Sequence, residues 1–263
     1  LIIWLCTKYE PAIFDFASSI KFTEVKIIID DNSFQIQNNN HLKYIIQIPE
    51  EDCIHSGYQN SNANTHINKK VIAWDKALFY LGIRKPKKVI ILENDVFVPD
   101  QSILHRLFTL EYDLLIREHN FRFDSLPNWH WVNIEKYLVK PHYYSMACFV
   151  GLSLNMIELI TQFVKNNKTL VHIEALFNSL AHQNSLRILT PKELLPVVAM
   201  GKWDLTLIKL FPDKLYHPVK NTTLHGLYRK HITSKDGFCN WVNIEAFMPT
   251  PYQHNIIPRF IRE

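Results

Sequence analysis

The stretch VIILENDVFVPD, residues 89–100, drives four apolar residues into Glu93-Asn94-Asp95 and resumes at once with Val96-Phe97-Val98. A short apolar run bounded in this way predicts a buried strand over Val89–Leu92. Two carboxylates two residues apart then sit at the end of a sheet, where desolvation is costly unless a cation offsets it. In open α/β sheets ligands bind beyond the carboxyl ends of the strands, so Glu93 and Asp95 stand at the expected place. A competing reading makes them helix caps, or partners of Lys87 and Lys88.

Outward from this strand the pattern alternates. Val71, Trp74, Leu78 and Leu81 recur at helical spacing and predict a helix over Lys69–Leu81, stopped by Gly82. Strands are expected at Leu1–Cys6, Val25–Ile29 and Tyr44–Ile48, with helices at Pro11–Ser19 and Gln101–Leu110. This is the βαβ rhythm of an α/β sandwich. The polar, Asn-rich residues 50–68 predict a long loop near a ligand. Past Asn120 come the aromatic-rich FRFDSLPNWHWVN (121–133), the run HYYSMACFVGLS (142–153) and a helix over Leu154–Val164. TLVHIEALFNSLAHQNSLRI (169–188) reads as a strand end entering a helix whose apolar face is Leu176, Phe177, Leu180 and Ala181. Helix signals fade after Pro191.

The 263 residues suffice for a large core, and no internal boundary divides them, so one domain with a C-terminal extension is expected. An apolar fraction of 47% excludes a disordered chain. The excess of 29 basic over 25 acidic residues is small and scattered, which argues against a nucleic-acid surface. Cys6, Cys53, Cys148 and Cys239 are too far apart for a zinc ribbon and read as buried thiols. They favour a reducing compartment such as the cytoplasm, while sequons at Asn167 and Asn221 keep the secretory lumen open. No run approaches the roughly 20 apolar residues of a membrane span. The opening LIIWLC reads as the first strand of a domain excised from a larger protein.

Several segments taken in order resemble a family. VIAWDKALFYLG (71–82) followed by KPKKVIILENDVFVPD (85–100) is similar to the nucleotide-sugar-binding half of metal-dependent, D-x-D-type glycosyltransferases of GT-A fold. YYSMACFVGLSLNMIELI (143–160) and the segment around Glu174 resemble the acceptor half of such enzymes from protists and large DNA viruses. The resemblance implies a Rossmann-like α/β/α sandwich with a mixed, mostly parallel sheet. It implies a catalytic domain over 1–229, divided into 1–118 and 119–229, with 230–263 as the extension. It also implies Mn²⁺ or Mg²⁺, a nucleotide-sugar donor (a UDP-sugar first, a GDP-sugar second) and a glycan or glycoprotein acceptor; for a viral chain the compartment is the host cytoplasm.

Residue by residue, the resemblance makes Asp95 and Glu93 metal ligands at the ends of the D-x-D, with Asn94 in its middle place. Asp30 or Asp31, closing IIIDDN, would accept hydrogen bonds from the nucleoside. Asp75 would face the nucleoside and Lys76 the diphosphate. Glu174 would be the base that deprotonates the acceptor hydroxyl in an inverting transfer. In LYHPVKNTTLHGLYR (215–229), His217 or His225 would return to the metal, and Lys220 and Arg229 would clamp the diphosphate. Trp129, His130, Trp131, Tyr143 and Tyr144 form an aromatic cluster suited to a sugar ring or to the core. Two other readings accompany this one. A nucleotidyltransferase would use the same acidic site but commonly adds a Gly-rich phosphate loop, which LIIWLCTKYEP lacks, and Asn94 motivates a catalytically silent sugar- or nucleotide-binding domain. A glycoside hydrolase is disfavoured because Glu93 and Asp95 share one short loop.

Overall fold

A computed structural model of the protein describes residues 1–31, 39–62, 71–122 and 131–232. Its centre is Lys88–Glu93, the strand that the opening motif predicts, and the order of its neighbours follows from the connections on either side. In chain order the first elements are β1 (Ile2–Cys6), α1 (Pro11–Ser19), β2 (Val25–Ile29), β3 (Ile45–Ile46), α2 (Glu50–Ser56), α3 (Ala73–Arg84), β4 (Lys88–Glu93) and α4 (Gln101–Thr109). There follow β5 (Leu114–Leu115), β6 (Asn120–Phe121), α5 (Trp131–Ile134), β7 (Tyr143–Tyr144), β8 (Phe149–Ser153), α6 (Leu154–Asn167), α7 (Ile173–Gln183), β9 (Ile188–Leu189), α8 (Leu205–Leu210) and α9 (Thr223–Ile232).

Among the described residues the main sheet has seven strands in the order β3-β2-β1-β4-β8-β5-β9, mixed and mostly parallel. β1 lies parallel to both β2 and β4, with Trp4 opposite Ile27 on one side and Leu92 on the other. β8 runs antiparallel to β4, Leu92 facing Phe149. The chain leaves β1 toward β2 and β3, then returns to the opposite side of β1 as β4. That reversal is the switch point at which open sheets form a crevice.

Both faces are covered, which explains why the inner strands are mostly apolar rather than alternating. Ile3, Leu5, Ile28, Val89 and Ile91 pack with α3, α6 and α7. Ile2, Trp4, Ile27, Ile90 and Leu92 pack on the other face with Phe14 of α1 and Leu104 of α4. A smaller core of Phe97, Trp203, Ile208, Tyr216 and Val219 ties the segment after β9 to the residues following β4.

The structure departs from the expected elements in places. Gly82 does not stop α3, which runs to Arg84 and is closed by Lys85 at φ 47°. Glycine is at position 82 because the helix passes over Tyr58, and a Cβ would run into the Tyr58 hydroxyl. The loop expected over 50–68 begins instead as α2: its first turn carries Glu50, Glu51 and Asp52, favourable at a helix N-terminus, and Gly57 at φ 83° closes it. Residues 63–70 of that stretch lie outside the described residues. Thr169–Val171 is not a strand; Leu170 N–H donates to the Gln59 carbonyl and Ile173 N–H to that of Ser61. Helices do form after Pro191. Asp204 caps α8 by accepting from Leu207 N–H, and α9 ends at Ile232, three residues beyond the expected boundary at 229. Residues 233–263 of the expected extension, with Cys239, and Trp129 and His130 of the aromatic cluster lie outside the described residues. No described helix is long and apolar enough to cross a membrane.

Gly151 gives a direct check on this packing. It stands in β8, where a Cβ would approach the Tyr112 hydroxyl at 2.7 Å and its ring at 2.8 Å. Gly151→Ala is expected to destabilise the fold by about 1–3 kcal/mol, the usual range for overpacking, measurable as a lowered urea midpoint.

Candidate metal centre

Glu93 and Asp95 do not cap the next helix. Asp100 does so, its Oδ1 accepting from Ser102 N–H at 2.7 Å. Nor do they pair with the lysines before the strand: the Lys88 ammonium donates to the Leu110 carbonyl at 2.7 Å and lies near Glu111. Both structural explanations for the acidic pair therefore fall away.

Instead the pair meets the end of the chain. Phe97 and Tyr216 exchange backbone hydrogen bonds, and Val219 N–H donates to the Asp95 carbonyl at 2.8 Å. This short antiparallel contact carries His217 to the carboxylates. Its Nε2 is 3.3 Å from Asp95 Oδ1 and 3.9 Å from Glu93 Oε2, and its Nδ1 is 2.7 Å from the Val198 carbonyl oxygen. A carbonyl only accepts, so Nδ1 carries the proton and Nε2 is the atom turned to the carboxylates, as in a metal-ligating histidine. Asp95 Oδ1 is buried without a well-aligned hydrogen bond. Two such atoms at 3.3 Å need a proton or a cation between them. Burial resists protonation of His217, but Asp95, the Val198 carbonyl and Glu93 overcome it and raise its pKa.

Lys220 adds a second positive group. Its ammonium donates to Asp95 Oδ2 at 2.8 Å from a largely exposed side chain. Burial acts to raise the Asp95 pKa, yet His217 and Lys220 prevail and hold it down to about 2. Glu93 moves the other way: burial pushes its pKa up, opposed by the Trp74 indole N–H, which donates to Oε1 at 2.8 Å. The neighbouring carboxylate of Asp95 pushes the same way as burial.

One contributor had no signal in the sequence. Glu93 N–H donates to the Cys148 carbonyl at 3.0 Å where β8 begins beside the end of β4. Ligand atoms of Glu93, Cys148 and His217 consequently all lie within 4.8 Å of one another. The spacing of the four cysteines along the chain gives no hint of this, because the antiparallel pairing of β8 alone creates it. Burial, then Glu93, Glu174 and Asp95, push the Cys148 thiol pKa well up. Glu174, in the first turn of α7 with His172 Nε2 at 3.5 Å, is thus within electrostatic reach of the same centre.

The remaining expected residues are placed elsewhere. His225 is fully buried against the Phe97 ring, its Nε2 donating to the Val219 carbonyl. Burial lowers its pKa to about 4, and His217 rather than His225 stands at the carboxylates. Asp75 is fully buried and accepts from Ile72 N–H at 2.8 Å and Ser61 N–H at 2.9 Å. It therefore holds the start of α3 to the segment after α2 and does not face a nucleoside. Lys76 is also fully buried; its ammonium donates to the Asp30 carbonyl at 2.9 Å, with Asp30 Oδ1 at 3.6 Å. It secures the end of β2 and does not reach toward a diphosphate. Asp31 is exposed beside this joint, its N–H donating to the Thr7 carbonyl. Arg229 donates to the Val98 carbonyl and lies over the Phe16 ring at 3.5 Å, a packing role in place of the expected clamp. Trp131 is buried, edge-on to Tyr144, and Tyr143 stacks on His119.

Asn94 has a definite task. Its side-chain amide donates to Glu10 Oε1 at 2.5 Å and its N–H to the Leu5 carbonyl at 2.9 Å. Glu10, at the end of the loop after β1, is itself buried. An aspartate at 94 would set a half-buried carboxylate against the buried Glu10 carboxylate, which the asparagine amide avoids.

Asp75 also makes a pH prediction. Burial, although opposed by the Ile72 and Ser61 hydrogen bonds, raises its pKa from 3.8 to about 7. The folded state then holds a proton that the unfolded chain releases near pH 4. Stability from this group accordingly falls as pH rises from about 4 to 7 and is level above, a loss on the order of 4 kcal/mol. Asp75→Asn is expected to flatten that slope, seen by comparing urea unfolding of the two proteins at pH 4.5 and 7.5, values set around the reference carboxylate pKa of roughly 4.

The chain matches no protein-family model and no curated protein.

Proposed function

We propose that the protein is a metal-dependent glycosyltransferase of GT-A type that takes a nucleoside-diphosphate sugar and passes the sugar, with inversion, to a hydroxyl of a glycan or glycoprotein. The observation that carries this reading is the convergence, at the switch point, of Glu93 and Asp95 with His217 and Lys220, the last 125 residues from Asp95. The donor set suits a divalent cation: two carboxylate side chains, one imidazole oriented through its second nitrogen, and a buried carboxylate oxygen without a well-aligned hydrogen bond. Asp95, Glu93 and His217 would hold the ion, which when bound supplies Lewis-acid stabilisation of the departing diphosphate.

The protein's own groups account for the other requirements. Lys220, on an exposed stem, can leave Asp95 and neutralise diphosphate charge. Asn94 fixes the turn between the two carboxylates by gripping Glu10. Glu174 is the base, taking the acceptor hydroxyl proton onto its carboxylate as the oxygen attacks the anomeric carbon. A screen of UDP- and GDP-sugars with Mn²⁺, scored by release of the nucleoside diphosphate, tests the reading. Metal-dependent release with at least one donor is expected. Formation of a nucleotide sugar from a nucleoside triphosphate and a sugar phosphate would identify a nucleotidyltransferase instead, and nucleotide binding without turnover would identify a binding domain.

A further inference from the structure

Cys148 does not fit a site built only for Mg²⁺ or Mn²⁺. Those ions select oxygen and imidazole donors, and a thiol adds little to them; thiolates select zinc, cobalt and other thiophilic ions. Yet the Cys148 sulfur is among the three ligand atoms that lie within 4.8 Å of one another, with Glu93 and His217. Around a tetrahedral ion with ligand bonds of about 2.0–2.3 Å, neighbouring donor atoms stand roughly 3.5 Å apart, so small side-chain rotations suffice. The arrangement is fixed by backbone, since Glu93 N–H is bonded to the Cys148 carbonyl.

Two independent features point to a ligand at this spot. Asp95 Oδ1, on a side chain nine-tenths buried, has no well-aligned hydrogen bond and faces His217 Nε2 at 3.3 Å. The His217 ring is locked through Nδ1 to the Val198 carbonyl. The thiol lies 3.3 Å from the Met146 thioether, a weak contact, and is close enough to the Glu93 carboxylate for the two to shift each other's pKa. No other such group of three occurs among the described residues.

We infer that Cys148, with Glu93 and His217, ligates the cation, and that the site therefore prefers a thiophilic divalent ion, zinc or cobalt, over magnesium. The inference rests on the metal-site part of the proposed function and is independent of which sugar is transferred. On binding, the thiol gives its proton to solvent and the thiolate sulfur forms the bond to the ion; nothing is oxidised or reduced.

The test is titration of the full chain, carrying Cys239→Ser and freed of metal by chelation, with Co²⁺ under nitrogen. A near-ultraviolet sulfur-to-cobalt charge-transfer band that saturates at one equivalent is expected, displaced by Zn²⁺ and lost in Cys148→Ser. That variant should also lose about 100-fold or more in zinc affinity, beyond the usual cost of losing an outer-sphere partner, while Mg²⁺ binding changes little. Should the serine variant not fold, the wild-type band and its loss in His217→Ala decide the matter. Cobalt binding without the band overturns the inference and leaves a hard-donor metal site standing. No binding of Co²⁺, Zn²⁺ or Mn²⁺ by calorimetry overturns both.

Discussion

Asp95→Asn is expected to lower sugar transfer by about 100- to 1,000-fold, the range for removing one preorganised electrostatic group from a charged transition state. The substitution keeps the volume and one acceptor oxygen but removes the charge that both His217 and Lys220 address. Asparagine is a poor substitute for a carboxylate toward a hard or borderline cation. The loss should appear in kcat and in the metal concentration needed for half-activity together. A variant that retains full activity would remove Asp95 from the machinery.

Glu174→Gln is expected to separate chemistry from binding. Removing a general base typically costs about 100- to 10,000-fold in rate. Glu174 stands in the first turn of α7 beside His172 and, among the described residues, makes no hydrogen bond to Glu93, Asp95 or His217. Metal-dependent binding of the nucleoside diphosphate should therefore survive while kcat falls. Loss of nucleotide binding with kcat intact would assign Glu174 to the donor side.

The opening motif and the strands nearest it were legible because each depends on short-range pattern. Ile2–Cys6 is apolar on both faces, Val25–Ile29 and Lys88–Glu93 are nearly so, and Pro11 begins α1 where a proline should. Errors arose where tertiary contact overrides the local signal. Gly82 looked like a stop but is a concession to Tyr58, and Asp75 and Lys76, expected to face a ligand, are buried completely by the covering of α3. The centre itself was half legible. Glu93 and Asp95 announce themselves by interrupting an apolar strand, whereas the sequence left His217 and His225 as alternatives that only the fold separates. Cys148 could not be read from its neighbours, because only the antiparallel register of β8 against β4 brings it to Glu93. Likewise the hydrogen bond from Asn94 to Glu10 spans 84 residues and has no local signature.

The measurement that bears most directly on the metal-dependent nucleotide site is thermal unfolding of the wild type and Asp95→Asn with UDP or GDP, each with and without Mn²⁺ or Zn²⁺. Nucleotide at ~100 times its dissociation constant adds about 2.7 kcal/mol to stability, a rise of several degrees in Tm for a chain of this size. The account predicts that rise in the wild type only when metal and nucleotide are both present, and its disappearance in Asp95→Asn. An equal shift without metal, an equal shift in the variant, or no shift with either nucleotide would contradict it.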